Sequence, residues 1–190
     1  MLGAIAGDII GSVFEARNWN DKTPHKSKEF PLFDPQCRFT DDSTLTIALA
    51  DAILHQRDYA TVMREYYQRY PKAGFGKSFR VWAATPDAPA YNSWGNGSAM
   101  RISPVAYAFD SLEAVLVNAR RYSEPTHNHP EGIKGAQAVA SVIYLARKGA
   151  DKAGLKRFVE LEFGYDLSRT LDEIRPNYVF NESCQQTVPE

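Results

Sequence analysis

The 190-residue sequence contains few cysteines and little net charge, and each shortage excludes a class of protein. Its two cysteines, Cys37 and Cys184, have no C-x-x-C spacing, so neither a disulfide scaffold nor a zinc site is expected. The formal net charge of −1 provides no basic field for nucleic acid or for an anionic membrane. We therefore expect a protein of the reducing cytoplasm that binds neither nucleic acid nor membranes.

The sequence also lacks the alternating valine, isoleucine and threonine pattern of strands, and it has no repeat of fixed period. The apolar N-terminus has no basic region and carries Asp8, which favours a buried helix over a signal peptide or a membrane span. With 44% hydrophobic residues, the chain is large enough for one core. We predict a single all-α domain over residues 1–190, with roughly seven or eight helices.

Apolar residues at helical spacing predict most of these helices. The predicted ranges are 1–16, 40–55, 59–70, 102–109, 110–122, 130–148 and 152–163. The proline- and lysine-rich segment 17–38 is interpreted either as a site-lining loop or lid, or as a surface excursion. Residues 74–100 are dense in glycine, proline, serine and asparagine and contain no predicted helix.

The first predicted helix combines small residues with two acids. Its glycines at positions 3, 7 and 11 share one face, and because glycine weakens helices we expect another backbone to pack closely there. A buried acid at Asp8 requires hydrogen bonds, which favours bracing or capping of a neighbouring helix. Glu15 is either an exposed residue near the helix end or part of a site.

A pair of adjacent carboxylates begins the next helix. Thr40 is a suitable N-cap, which places Asp41 and Asp42 in the first turn, where the helix dipole stabilises negative charge. Acids at a helix start are common and need no further role. Alternatively, the two carboxylates provide the oxygen ligands that hard cations such as Mg²⁺, Ca²⁺ or Mn²⁺ require.

Two later stretches have the composition of ligand-binding loops. In Gly95-Asn96-Gly97-Ser98, before a predicted helix, backbone N–H groups can approach an anion such as phosphate. The alternative is a simple Gly-Asn-Gly turn. His127 and His129 can bind a metal or a ligand, or belong to a polar turn before the helix that Pro130 begins.

The last residues carry signals for the start of a helix. Thr187 and Glu190 have the spacing of a capping box, with Pro189 early in the expected helix. We interpret them as the beginning of a further helix, and the alternative is a frayed tail.

Taken together, these stretches resemble the ADP-ribosylglycohydrolase family, which includes the dinitrogenase reductase-activating glycohydrolases and the ADP-ribosylhydrolases. The similar stretches span nearly the whole chain. They are Gly7-Asp8-x-x-Gly11-x-x-x-Glu15, Phe39-Thr40-Asp41-Asp42-Ser43, Gly95-Asn96-Gly97-Ser98-Ala99-Met100-Arg101-Ile102-Ser103-Pro104, Thr126-His127-x-His129 and Ser183-Cys184-x-x-Thr187-Val188-Pro189.

The resemblance implies an all-α orthogonal bundle with a binuclear Mg²⁺ or Mn²⁺ site. It also implies hydrolysis of the N- or O-glycosidic bond at C1″ of ADP-ribose, carried by an ADP-ribosylated protein or a small molecule. The implied metal ligands are Thr40, Asp41 and Asp42. Asp41 and Glu15 are implied as catalytic residues, with Glu15 either a ligand or the acid/base. The loop Gly95, Asn96, Gly97 and Ser98 is implied to receive the pyrophosphate, and His127 to contact a ribose.

One departure from the family pattern concerns the second metal motif, Asp-x-Asp-Thr in a C-terminal helical region, which these 190 residues lack. The resemblance therefore implies a C-terminally incomplete domain that binds one cation weakly and is weak or inactive as a hydrolase. It also implies an uncovered apolar surface through which homodimers form. The alternative is a non-catalytic relative that binds ADP-ribose or a nucleotide, or a structural one similar to the lens J1-crystallins.

Overall fold

The computed structural model describes residues 1–15, 29–179 and 181–190, and within these ranges the fold is entirely helical. Strand pairing in this part of the chain is limited to one isolated bridge between Gly95 and Ser183. The helices are α1 (Leu2–Gly11), α2 (Asp41–Leu54), α3 (Tyr59–Arg69), α4 (Lys77–Ala84), α5 (Gly97–Arg101), α6 (Val105–Ala108), α7 (Leu112–Ser123), α8 (Pro130–Arg147), α9 (Lys152–Phe163), α10 (Leu171–Ile174) and α11 (Cys184–Thr187). The all-α prediction is confirmed. The predicted number of helices is wrong, because short helices lie in segments that were interpreted as irregular.

Helix α8 is central to the packing. It contacts α5, α6, α7, α9 and α11, and its small residues Ala136 and Ala140 are fully buried. Small side chains at these positions let the neighbouring helices approach closely. The main hydrophobic core joins α8 to α2, α3, α4 and α7 through residues such as Leu49, Met63 and Trp82. None of the helices in the described ranges combines the length and apolar composition needed to cross a bilayer.

Helix α1 differs from its prediction in length and burial. It ends at Gly11, and a turn follows, so the predicted range 1–16 is too long. The expectation of a buried helix is wrong, since Leu2 is 85% exposed and Asp8 is the buried residue of α1. The expected close backbone contact at Gly3, Gly7 and Gly11 is also wrong. No heavy atom of the described chain lies within 4 Å of a Cβ built at any of them.

The segment predicted as a loop or lid falls mostly on residues 16–28, which lie outside the described residues. The part from 29 to 38 contains turns, and its end is tied to the C-terminal end of α1. The backbone N–H of Arg38 donates to Ser12 Oγ at 3.0 Å. This contact brings the chain to Thr40, where α2 begins.

Helix α4 was not expected from the sequence. It begins after Gly76 and buries Phe79 and Trp82, which pack with Phe75 and Tyr67 in an aromatic cluster. The burial of these aromatic rings stabilises the helix in a segment whose composition alone favours a loop.

The capping-box bonds expected between Thr187 and Glu190 are not formed in the described residues. Thr187 is the last residue of α11, and its hydroxyl donates to the backbone oxygen of Ser183. The Glu190 carboxylate pairs with Arg169 at 2.9 Å and does not return to the backbone of Thr187. A capping box does occur earlier, at the start of α10, where Thr170 and Glu173 exchange side-chain-to-backbone bonds.

Candidate functional site

Asp8 connects α1 to the first turn of α2. Its Oδ2 accepts the backbone N–H groups of Thr40 at 2.9 Å and Ser43 at 3.1 Å, and its Oδ1 accepts the Thr40 hydroxyl at 2.5 Å. These groups are among the free donors that every helix N-terminus presents, so the buried carboxylate completes the cap of α2. The interpretation of Asp8 as a brace for a neighbouring helix is confirmed.

Thr40 is the N-cap residue of α2, as expected. It is buried, and its Oγ1 accepts the backbone N–H of Asp42 at 3.3 Å while donating to Asp8. Because the cap fixes the direction of the first turn, Asp41 and Asp42 start α2 side by side as half-buried carboxylates. The predicted N-cap at Thr40 and the predicted position of Asp41 and Asp42 in the first turn of α2 are therefore confirmed.

The two aspartates carry negative charge in a partly desolvated place. Burial, and then the neighbouring charge of Asp42, raises the pKa of Asp41 to about 7. Burial, and then the charges of Asp8 and Glu15, raises the pKa of Asp42 to about 6. Like charges in a poorly solvated site disfavour ionisation, which is the physical cause of both shifts.

Glu15 belongs to the same group of acids. Burial and the charge of Asp8 raise its pKa, and Arg38 opposes that rise. Glu15 keeps a larger share of its surface in solvent than Asp41 and Asp42 do. The structure thus brings the predicted residues Glu15, Thr40, Asp41 and Asp42 together near Asp8.

The oxygen atoms of these residues are of the type that binds a hard divalent cation, but they are too few to fill its coordination shell. Uncompensated carboxylates with raised pKa values are the donors that such a cation neutralises. Within the described residues, no group of three or more His, Cys, Asp or Glu side chains is arranged to hold one ion. The fit is therefore that of two carboxylates and a threonine hydroxyl, which leaves further positions to other donors.

A tight turn borders the acids from another part of the chain. Gly74 has a φ of +102°, in the region that favours glycine, and a Cβ placed there would stand 3.4 Å from Asp41 Oδ1. The turn before α4 therefore lies beside the carboxylate of Asp41. The contact between this turn and Asp41 was not predicted from the sequence, although Gly74 itself is a signal for a turn.

Residues 95–98 form a loop, called the glycine loop below, that is held in place by the segment before α11. Asn96 N–H donates to Glu182 O at 2.7 Å, and Cys184 N–H donates to Trp94 O at 3.0 Å. The Ser98 hydroxyl is turned into the protein, where it donates to Gly132 O at 2.7 Å. Ser98 is fully buried, so its hydroxyl supports the loop from inside the protein.

Glycine is favoured at position 97 of this loop because the ring of His127 lies close against it. A Cβ added at Gly97 would stand 3.0 Å from His127 Nε2, and one added at Gly95 would stand 3.7 Å from the same atom. Within the described part of the chain, the N–H groups of Gly97, Ser98 and Ala99 donate to no protein acceptor. They are the unpaired backbone donors at the start of α5, where Gly97 is partly exposed and Ser98 and Ala99 are buried.

His127 lies in a buried polar chain. Its Nδ1 is 2.8 Å from Thr126 Oγ1, and the same oxygen accepts Arg101 Nη2 at 2.7 Å. Burial and the charge of Arg101 lower the pKa of His127 well below its ordinary value. Arg101 and Thr126 belong to stretches that were noted in the sequence, but no role was predicted for them.

His129 has a different place. Its Nδ1 accepts the Glu131 N–H at 3.1 Å and so caps α8, and its ring meets the Trp94 ring edge-on at 5.7 Å. Of the two interpretations for this residue, the polar turn before Pro130 is the one that the structure shows.

A cleft of about 760 Å³ opens beside the glycine loop. Its lining includes Tyr91, Trp94 and Gly95 from one segment of the chain and Glu182, Ser183 and Gln186 from another. Of the predicted binding residues, Gly95 lines this cleft and Asn96, Gly97 and Ser98 follow it in the chain. His127 lies against Gly95 and Gly97. Helix α2, which carries the acids, packs directly against α5, which carries this loop.

Known proteins with similar sequences point to one family. The family model described as ADP-ribosylglycohydrolase matches residues 1–185. The chain is 27% identical to ADP-ribosylhydrolase ARH3 of Bos taurus over 87% of its own length and 53% of that protein's. It is 28% identical to ADP-ribosylarginine hydrolase Tri1 of Pseudomonas putida (strain GB-1), over 80% and 47% of the two lengths. The chain thus spans about half the length of the curated relatives it matches.

A solved structure has a similar fold. It is described as an ADP-ribosylglycohydrolase-related protein complex, and it matches with a TM-score of 0.61 at 25% sequence identity. The match covers 85% of this chain and 60% of the other.

Proposed function

Because the chain belongs to the ADP-ribosylglycohydrolase family, we propose that it is a metal-dependent hydrolase of ADP-ribose linkages. The bond cleaved is the glycosidic bond between ADP-ribose and a protein side chain or a small acceptor. The observation that carries the proposal is the group of carboxylates at the start of α2, on a helix that packs against the glycine loop.

The acids form the reactive end in this proposal. Thr40, Asp41 and Asp42 would hold Mg²⁺ or Mn²⁺, and such a cation, when bound, positions and acidifies water and polarises ribose hydroxyls. Asp41 and Glu15 accept or donate the proton at the scissile bond, whose cleavage passes through an oxocarbenium-like transition state. The pKa of about 7 at Asp41 is that of the metal-free site, and a bound cation would keep this carboxylate ionised, as a base requires.

The loop forms the binding end. The unpaired N–H group of the partly exposed Gly97 donates to the pyrophosphate, the buried Ser98 supports the loop from behind, and His127 contacts a ribose. Gly95 and Asn96 fix the loop, since the backbone of Asn96 is bonded to Glu182 and its side-chain amide donates to Thr187 Oγ1 at 3.3 Å.

The test is release of ADP-ribose from peptides carrying ADP-ribosylated arginine or serine, with Mg²⁺, with Mn²⁺ and with EDTA. We compare the 190-residue chain with a version extended by the C-terminal region that the family pattern implies. The extended protein is expected to release ADP-ribose with a cation, and the 190-residue chain to be weak or inactive. The matched variants are Asp41→Asn, which removes the release, and Asp87→Asn at an exposed turn, which preserves it. Absence of release from the extended protein under every condition contradicts the proposal.

Calorimetry separates this proposal from a non-catalytic binding module. Binding of ADP-ribose that is insensitive to EDTA and to Asp41→Ala would indicate a module without a metal role. A metal-dependent hydrolase is expected to bind ADP-ribose more weakly after either change, because EDTA withdraws the cation and Asp41→Ala removes one of its proposed ligands.

The location and assembly of the protein are further parts of the proposal. A reducing cytoplasm suits its cysteines, because Cys37 and Cys184 are both free thiols and Cys184 is buried. Homodimers would form through the uncharged exposed surface of α1, where Leu2 is open to solvent.

A further inference from the structure

Arg101 is a buried cation whose place in the fold requires an explanation. It is 1% exposed, and within the described residues it forms no ion pair with a carboxylate. Its Nε has no hydrogen-bond partner there, and its one side-chain bond runs from Nη2 to Thr126 Oγ1. Burying a charged group without a counter-charge is costly, so we look for a role of Arg101 in the hydrogen bond that it donates to Thr126.

The bond determines how protons are arranged around Thr126. An arginine side chain can only donate, so Thr126 Oγ1 is the acceptor of Arg101. A hydroxyl that accepts from a cation is polarised and becomes a stronger donor to its next neighbour. That neighbour is His127 Nδ1, at 2.8 Å, which then accepts the Thr126 proton.

The charge of Arg101 favours the same arrangement of the imidazole ring. The guanidinium lies on the Nδ1 side, since Thr126 Oγ1 bridges the two groups. A lone pair at Nδ1 faces this positive charge favourably, whereas an N–H at that atom would direct its positive end toward it. The neutral ring therefore carries its proton on Nε2, the atom beside Gly97 and Gly95.

We propose that Arg101 and Thr126 are positioning residues that hold His127 as a neutral imidazole with its hydrogen on Nε2, a fixed donor beside the glycine loop. The ligand atom that meets it must be an acceptor, such as a hydroxyl, carbonyl or phosphate oxygen. That the acceptor belongs to ADP-ribose rests on the proposed function, whereas the tautomer does not. The lowered pKa of His127 agrees with a neutral ring.

The proposal also limits the chemistry of His127. A histidine that stays neutral and keeps Nδ1 occupied by a hydroxyl donor does not exchange protons with a substrate at neutral pH. Proton transfer is then left to the carboxylates at the start of α2. His127 orients the ligand and selects against ligands that present a donor at this point.

The tautomer is measured by long-range ¹H–¹⁵N correlation of histidine-labelled protein at pH 7, with the His127 signals assigned by their loss in His127→Asn. The wild-type ring is expected to show a protonated Nε2 and an unprotonated Nδ1. Thr126→Ser keeps a hydroxyl and is expected to preserve this pattern. Thr126→Val removes it and is expected to give a mixture of tautomers. The Tyr91 hydroxyl also lies close to Thr126 and could accept the Thr126 proton instead of His127 Nδ1. The wild-type spectrum decides between these two acceptors. An Nδ1–H tautomer or an imidazolium in the wild type overturns the proposal.

Ligand binding gives a second measurement on the same variants. We expect Thr126→Val to weaken ADP-ribose binding roughly tenfold, and Thr126→Ser to restore most of the affinity. If Thr126→Val folds with an unchanged tautomer pattern, the positioning role of Thr126 is wrong. If no variant binds ADP-ribose but the wild-type ring is the Nε2–H form, the proposed function fails and the tautomer proposal survives.

Discussion

At the scale of single residues, the first turn of α2 accumulates negative charge with little to balance it. Asp41 and Asp42 repel each other, and Asp8 and Glu15 add to the repulsion. The caps provided by Thr40 and Asp8 keep the turn in place in spite of this. A site that is held together by hydrogen bonds while its charges repel is prepared for a cation.

This repulsion predicts how stability depends on pH. The folded pKa of Asp41, about 7, lies above its ordinary value of 3.8, so the folded state binds more protons than the unfolded state between these values. The free energy of unfolding of the metal-free protein therefore falls as pH rises from about 4 to 7, by an amount on the order of 2–4 kcal/mol. Urea denaturation at pH 5 and pH 7.5 measures this fall.

Asp41→Asn is the matched variant for this measurement. It is expected to reduce the fall and to leave the part that comes from the raised pKa of Asp42, while Asp87→Asn, with the same charge change at an exposed turn, preserves the whole fall. Mg²⁺ at pH 7.5 is expected to restore the stability of the wild type and not of Asp41→Asn. An identical pH dependence in the wild type and Asp41→Asn would show that Asp41 is not the source.

The roles of residues that act on their neighbours in the chain could be predicted from the sequence, whereas hydrogen bonds between residues far apart in the chain could not. A threonine before two acids and an apolar run predicts an N-cap, and Thr40 is one. The partners of Asp8 lie 32 and 35 residues away, so they depend on how α1 packs against α2. The roles of Arg101 and Thr126 likewise depend on a contact between α5 and the loop before α8.

At the scale of helices, glycine has opposite consequences in α1 and α8. No described atom lies within 4 Å of a Cβ at Gly7, whereas a Cβ at Gly135 would stand 2.5 Å from Cys184 Sγ. We expect Gly7→Ala to stabilise the chain by about 0.5–1 kcal/mol through helix propensity. Gly135→Ala should destabilise it by about 1–3 kcal/mol, because α11 must move away from α8.

Urea denaturation of the two alanine variants measures this difference, and each serves as the control for the other. A loss of stability in Gly7→Ala would mean that another segment packs on this face of α1. A neutral Gly135→Ala would mean that α11 is not held closely against α8, and the support of the glycine loop by residues 182–184 would then be doubtful.

Helices with complete end signals were predicted best. Asp151 caps α9 and Gly164 ends it with a φ of +64°, and the predicted range 152–163 is confirmed. Helix α4 was missed because it is only eight residues long and follows Gly76 in a segment rich in loop-forming residues. Its stability comes from tertiary burial of Phe79 and Trp82, which periodicity over so short a window does not reveal.

At the scale of the whole molecule, helix packing relates the two ends of the site. The acids begin α2 and the unpaired backbone N–H groups begin α5, and these two helices contact each other directly. Leu45 and Leu49 of α2 and Ile102 after α5 belong to the same buried core. The relation between acids and loop is therefore fixed by core packing, which no local motif in the sequence could specify.

The outer surface of α1 leads to a prediction about assembly. Asp8 is the charged side chain of α1, and it is buried, so the exposed side chains of this helix are uncharged and include Leu2 at 85% exposure. We expect the protein to form dimers in a concentration-dependent manner. In a two-fold symmetric dimer both copies of Leu2 are buried at the interface, so a single substitution acts twice. Leu2→Gln should therefore weaken association at least about tenfold.

Sedimentation equilibrium measures this association. Leu161→Gln is the matched control, because Leu161 is similarly exposed, at 71%, but lies on α9 beside charged residues such as Lys156, Glu160 and Glu162. Charged neighbours oppose burial, so this variant is expected to dimerise like the wild type. A monomer at all concentrations would show that the exposed surface of α1 does not pair with a second copy. Equal weakening by both substitutions would place the contact elsewhere than on α1.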